Sequence, residues 1–225
     1  MNKLFHIAFV VFFGCVSSVW ASSSPRVLAS IKPVAMLVKA VVGGEFSVDV
    51  LLSPNTSPHE YALKFSDLKA VKQAELVVWV GPELEGVLVK ALVNEPSEKV
   101  VQLTQLDNIQ WPEVSHERHD HEEHISNGDK NGEPYNRDPH LWLNPHNSLK
   151  VVEAIAVVLA NKYPERKTLF EANVREFSEQ LTFLDESIQK GLEQVKGNGF
   201  LVVHDGYGHF VEHFGLNQLA AIQLP

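Results

Sequence analysis

"LVVWVGPELEGVLVKAL", residues 76–92, is the stretch whose reading decides the fold. Leu76 to Val80 run without the polar alternation of a half-exposed strand, and Gly81 closes the run. A continuous apolar run is the pattern of a strand covered on both faces. Pro82 then opens a segment with helical spacing, at a position where a missing backbone N–H is tolerated. A doubly covered strand that leads into a helix is the repeating unit of a parallel sheet.

Working outward, the same unit recurs. "RVLASI" (26–31) is a strand candidate, and Pro33 and "VAMLVKAVVGG" give a helix ending at Gly43-Gly44. "FSVDVLLS" (46–53) alternates and is β-branched, so it predicts a second strand. "SDLKAVKQA" (66–74) reads as a helix with Ser66 as its N-cap, and "KVVQL" (99–103) as a further strand. Strand and helix alternate, which predicts an α/β fold with a parallel sheet covered by helices. Ligands of such sheets sit at the carboxyl ends of the strands. The Pro/Asn/Ser loop "SPNTSPHEY" (53–61), which carries His59, lies on that edge.

Residues 112–139 lose all periodicity and read as a long irregular loop. Beyond it, "NSLKVVEAIAVVLANKY" (147–163) has helical spacing and stops at Pro164. Residues 165–197 form a second, very long helical pattern, with Leu169, Val174, Phe177, Leu181, Leu184, Ile188, Leu192 and Val195 as its apolar stripe. At ~1.5 Å per residue it would run about 45–50 Å, long enough to join two domains. "FLVVHDG" (200–206) restarts the strand pattern, a short helix "YGHFVEHFG" follows, and "LNQLAAIQLP" offers another strand. Two strands do not bury a sheet by themselves, so the expectation is a second α/β domain that is incomplete in this chain.

The chain has 225 residues, 44% hydrophobic and 21% charged, and a net charge of −9. That balance fits a globular protein that attracts cations. It excludes nucleic acid as a partner, because no basic cluster is there to neutralise phosphate. Residues 1–21 read as a signal peptide, with Lys3, the apolar run "LFHIAFVVFFGCVSSV" and small residues before a cleavage point after Ala21. Cys15, the chain's one cysteine, lies inside it, so the mature protein is expected to have no disulfide. "FFGC" also admits the weaker reading of a lipid anchor at Cys15.

Three histidines share a setting at the boundary between apolar sequence and loop: His59 in "SPHEY", His140 in "RDPHLWLNP" and His204 in "LVVHDGYG". Prolines precede two of them and stiffen their approach. Three neutral imidazoles with a carboxylate or water suit zinc, whereas magnesium and calcium prefer oxygen donors. Taken singly, a histidine at a strand end is more often an ordinary hydrogen-bonding residue. No short, fixed spacing ties these three together. Asp205 offers an acceptor to orient the ring of His204 or a neighbour, or an ordinary turn role. His209 and His213 stand four apart on a short helix and read as surface residues; His146 reads as a neighbour of a helix cap. In "SHERHDHEEH" (115–124), His116, His119, His121 and His124 sit among acids, in a pattern that suits either a solvated linker or weak metal binding.

"SPHEYALKFSDLKAVKQAELVVWVGPELE", "DPHLWLNPHN" and "VVHDGYGHF", with the acidic His-rich loop between the first two, resemble the zinc-specific substrate-binding proteins of bacterial ABC importers. The resemblance covers residues 26–225 in order. It implies two α/β lobes, each with a parallel sheet, joined by one long rigid helix, with the metal between them. The lobes would be 22–163 and 198–225, the helix 164–197, and the second lobe would be incomplete. It implies His59, His140 and His204 as metal ligands and Zn²⁺ as cargo. It also implies a membrane permease subunit as partner, a periplasmic monomer and no catalysed reaction. Manganese-binding relatives usually carry Glu where His204 stands, which favours zinc. Some relatives place an acid just before the first histidine; here that position is Pro58, so Glu60 or water is left as the fourth ligand. The loop histidines become a low-affinity zinc collector.

Two other functions fit parts of the pattern. A zinc-dependent hydrolase would use a three-histidine site with bound water, but the sequence offers no general base beyond Asp205 and Glu60 and no G-x-S-x-G motif. A zinc-scavenging adhesin would need no permease.

Overall fold

The computed structural model describes residues 25–53, 57, 61–113 and 137–222. The export segment with Cys15, the residues His59 and Glu60, and the loop histidines 116, 119, 121 and 124 lie outside the described residues.

Four short strands form the first sheet: β1 (Arg26–Ala29), β2 (Ser47–Val50), β3 (Leu76–Trp79) and β4 (Val100–Gln102). Their order is β2-β1-β3-β4 and every pair is parallel, as the alternation of strand and helix predicts. Every residue of β3 is buried, which is what its unbroken apolar run demands. Helix α1 (Lys32–Val42) buries Val34, Ala35, Leu37, Val38, Val41 and Val42, and ends where Gly43 turns to φ 58°.

Helix α2 (Phe65–Gln73) begins one residue earlier than expected, and its N-cap is Lys64, not Ser66. Asp67, in the first turn, takes over the capping: its carboxylate accepts the Lys64 N–H and the Tyr61 hydroxyl, both at 2.7 Å. The expected helix 82–92 is broken into α3 (Pro82–Glu85), a 3-10 turn (Gly86–Leu88) and α4 (Val89–Leu92). Glu85 leaves helical geometry at φ −117°, ψ 55°, and Gly86 beside it has little helix preference.

Helix α5 (Pro145–Lys162) is capped by Asn144, whose side chain accepts the His146 N–H at 2.8 Å. A 3-10 turn (Pro164–Arg166) leads into α6 (Lys167–Leu192). At 26 residues α6 spans about 39 Å, shorter than the pattern over 165–197 predicted, because both ends of that pattern are turns. Its stripe is also narrower than predicted. Phe170, absent from the expected stripe, is its one fully buried residue and packs against the ring of Phe46. Val174 and Phe177 pack on the same core, but Leu169 and Leu184 are exposed. Only the first half of α6 packs on the core, against α1 and α5.

A second sheet follows: β5 (Gly199–Val202) and β6 (Asn217–Ala221), parallel, with α7 (Gly208–Phe214) between them. Among the described residues no helix is long and apolar enough to cross a membrane.

Candidate metal centre

The carboxyl edge of the first sheet collects polar groups. Ser30 follows β1 and Gly81 follows β3, and both bond the buried carboxyl of Glu85. Ser30 Oγ lies 2.5 Å from Oε1, and the Gly81 N–H donates to Oε2 at 3.1 Å. Burial pushes the Glu85 carboxyl up and these hydrogen bonds pull it down; burial wins, and the group sits at about 7. Glycine is required at position 81: its φ is +152°, and a Cβ there would lie 2.3 Å from Thr104 Oγ1.

His140 stands in a turn just before α5. Asp138, two residues earlier, accepts both the His140 backbone N–H at 3.0 Å and its Nδ1–H at 2.7 Å. This is the turn chemistry of an Asx residue. It has a chemical consequence, because a proton held on Nδ1 leaves the Nε2 lone pair outward, the arrangement of a metal-ligating histidine. Burial raises the Asp138 carboxyl, but the two His140 hydrogen bonds outweigh it and hold the group below the usual carboxylate range. Asp138 is therefore ionised at neutral pH and accepts the ring's Nδ1–H as a carboxylate.

His204 comes from the other sheet, two residues past the end of β5. Its Nε2 faces His140 Nε2 at 3.3 Å, with ring centroids 5.1 Å apart and planes at 78°. Two nitrogens bound to one tetrahedral zinc at 2.0–2.1 Å lie about 3.3–3.4 Å apart. The pair thus has the spacing that the metal imposes. Gly206 makes room for it: a Cβ there would come within 2.8 Å of both rings. Trp142 stands edge-on to His140 at 5.3 Å, so an indole reports on this ring.

The structure brings together two of the expected ligands, His140 and His204. Among the described residues no group of three or more metal-ligating side chains converges. The chain flanking position 59 is anchored on both sides: Leu52 N–H donates to Ser30 O at 2.9 Å, and Tyr61 bonds Asp67. Asp205 accepts from Gln218 Nε2 at 3.3 Å, toward β6.

The expectation that His209 and His213 are surface residues is corrected. His209 is 1% exposed. Its Nε2 lies 2.9 Å from the Asp138 carbonyl oxygen and its Nδ1 3.2 Å from Asn147 Nδ2. His213 is half-buried and bonds Asp185 of α6 at 2.8 Å. The reason is that His209 and His213, four apart, share one face of α7, and that face is turned to Asp138 and Asn147 at one end and to Asp185 of α6 at the other. The sequence signal for Asp138 was present in "RDPH", where an Asp two residues before a histidine favours such a turn. Nothing in sequence spacing signals His209 or Asn147, whose ring and amide meet 62 residues apart.

Comparison with known proteins gives a consistent result. Residues 27–224 match the family described as "Zinc-uptake complex component A periplasmic". The chain is 36% identical over 210 residues to a "High-affinity zinc uptake system protein ZnuA" of Yersinia pestis, covering 88% of this chain and 65% of the relative. It is 27% identical over 229 residues to a "Zinc-binding protein AdcA" of Streptococcus pyogenes serotype M3, covering 98% of this chain and 44% of the relative. Its structure is similar to that of Zn(II)-bound AdcA from Streptococcus pneumoniae, with a TM-score of 0.72 and 26% identity, covering 90% of this chain and 40% of that one. The chain thus spans about two thirds of the first relative and less than half of the two AdcA proteins.

Proposed function

The chain belongs to the family of periplasmic zinc-uptake components, and from that premise we propose that it captures Zn²⁺ and hands it to the membrane permease of an ABC importer. The observation that carries this reading is the pair of Nε2 atoms 3.3 Å apart, with His140 donating its Nδ1–H to the Asp138 carboxylate. Two imidazole nitrogens at this spacing suit a borderline-soft cation that accepts imidazole.

In this reading His59, His140 and His204 are the protein ligands, and water or Glu60 takes the fourth position. The two sheets act as lobes held at a set spacing by α6, and the protein works as a monomer. His116, His119, His121 and His124 collect zinc weakly, because ordering a long irregular loop costs about 1–2 kcal/mol per residue. In this reading zinc is cargo, and no reaction follows its binding.

The test is titration of metal-free protein with Zn²⁺ while Trp142 fluorescence is followed. The expected result is one tight site that weakens on acidification, because imidazole must be deprotonated to bind a metal. Deleting 115–125 should remove weaker zinc and leave the tight site. Turnover of esters or phosphate esters by the zinc-loaded protein would replace this reading with the hydrolase.

A further inference from the structure

His209 takes no part in the proposed binding, yet it is the most completely enclosed histidine in the described chain. A buried imidazole needs a partner for each nitrogen. A carbonyl oxygen only accepts, so the Nε2 beside Asp138 O carries the proton and donates it. Nδ1 is then an acceptor, and Asn147 Nδ2 donates to it. Asn147 cannot flip, because its Nδ2 also donates to Gln110 O at 2.8 Å and its Oδ1 accepts the Gln110 N–H at 2.8 Å. A flipped amide would set oxygen against oxygen and nitrogen against nitrogen. Trp111 closes the site at a centroid distance of 5.7 Å. The ring is thus fixed in one tautomer and one orientation.

The position of this bond matters. His209 lies five residues after His204, on the first turn of α7. Its acceptor is the peptide of Asp138, whose carboxylate holds both N–H groups of His140. One hydrogen bond therefore ties the segment carrying His204 to the residue that aims His140.

We propose that His209 is a positioning residue for the metal pair: its Nε2–H donates to the Asp138 carbonyl, and this sets the His140 and His204 rings at their ligating distance. The inference rests on the zinc reading above. Phenylalanine in place of His209 would fill the volume but take the donor from Asp138 O and the acceptor from the second Asn147 Nδ2–H. Glutamine can donate and accept in the same two directions.

The experiment uses the whole chain and the variants His209→Phe, His209→Gln and His140→Ala. Zn²⁺ affinity is read by competition with a chromophoric chelator. The tautomer of His140 is read in metal-free protein by imidazole ¹⁵N NMR. His209→Phe should bind zinc about 10–100-fold more weakly, and His209→Gln should stay within about threefold of the unchanged protein. His140 should be a pure Nδ1–H tautomer in the unchanged protein and in His209→Gln, and a mixture in His209→Phe. If His209→Phe matches the unchanged protein in both readouts, the proposal is overturned. Equal weakening in both variants with the tautomer unchanged also overturns it, because the residue would then act by packing alone. Should His209→Phe fail to fold, His209→Leu takes its place under the same criteria. The zinc reading fails separately, through undiminished zinc binding by His140→Ala.

Discussion

The two rings that face each other are held by unequal surroundings. On the four-stranded side, His140 sits beside a continuous core in which β3, most of β1 and the inner face of α5 are fully buried. Asp138 clamps the ring from within its own turn. On the two-stranded side, Leu201 is 56% exposed and Leu219 64%, and His204 itself is exposed. A two-stranded sheet has little stability of its own. Among the described residues after 198, Phe214 is the one fully buried apolar side chain. The contrast teaches that the geometry of His204 comes less from a core of its own than from bonds that reach across. His209 reaches Asp138 and Asn147, and His213 reaches Asp185.

The sharpest way to break this comparison is at the ligands. His140→Ala is expected to weaken zinc binding more than about 100-fold, beyond the usual range for outer-shell changes. His204→Ala should do the same, despite its looser setting. Chelator competition measures both, and a small effect at either position would show that the two sides do not share one ion.

Next comes the core. Leu159→Ala removes a fully buried side chain from α5 and should cost about 2–5 kcal/mol. Leu201→Ala, on the exposed strand β5, should stay within about 0.5 kcal/mol. Urea unfolding of metal-free protein checks both, and equal losses would erase the distinction between the two sides.

The clamp is tested by Asp138→Ala. It leaves the His140 N–H groups unpaired and should weaken zinc binding about 10–100-fold. Chelator competition reads the loss, and an unchanged affinity would mean that the orientation of His140 is set elsewhere.

The smallest expected effect is a pair of opposite pH slopes in the metal-free protein. Burial raises Glu85 from 4.5 to about 7, so the folded chain keeps a proton that the unfolded chain has released. Its contribution is present below pH 4.5 and lost as pH rises to about 7. Burial lowers His209 from 6.5, with the Asp138 carbonyl and carboxylate opposing. Its contribution is present above pH 6.5 and lost as pH falls toward its lowered value. Denaturation midpoints against pH should flatten on the alkaline-falling side in Glu85→Gln and on the acid-falling side in His209→Gln. Identical pH curves for all three proteins would remove both groups from this account.

The order of strands and helices was legible because each element follows its apolar pattern. β3 lies inside the predicted run 76–81, and α5 lies close to the predicted helix over 147–163. The long helix was legible as well, though its ends were not. At the start, Glu165 and Arg166 belong to the turn Pro164–Arg166 and carry no apolar signal to mark the boundary; past Leu192 the apolar spacing runs on to Val195 although the chain has already turned. The break at Gly86 was missed because it depends on where the Glu85 carboxylate finds buried partners, at Ser30 and Gly81. At the centre, residue type and position offered His140 and His204 as candidates and the family resemblance grouped them; their approach to 3.3 Å is a property of the tertiary structure.

What the sequence determined by itself is the periodicity of the apolar residues, and hence the parallel α/β architecture and which histidines stand at its edges. Only the tertiary structure decided which nitrogen of each ring faces outward, and that His209 is an inward support and not a surface residue. The physical reason is that a ring's tautomer and direction follow from its hydrogen-bond partners. For the His209 ring those partners lie 62 and 71 residues away along the chain, a separation that no local pattern encodes.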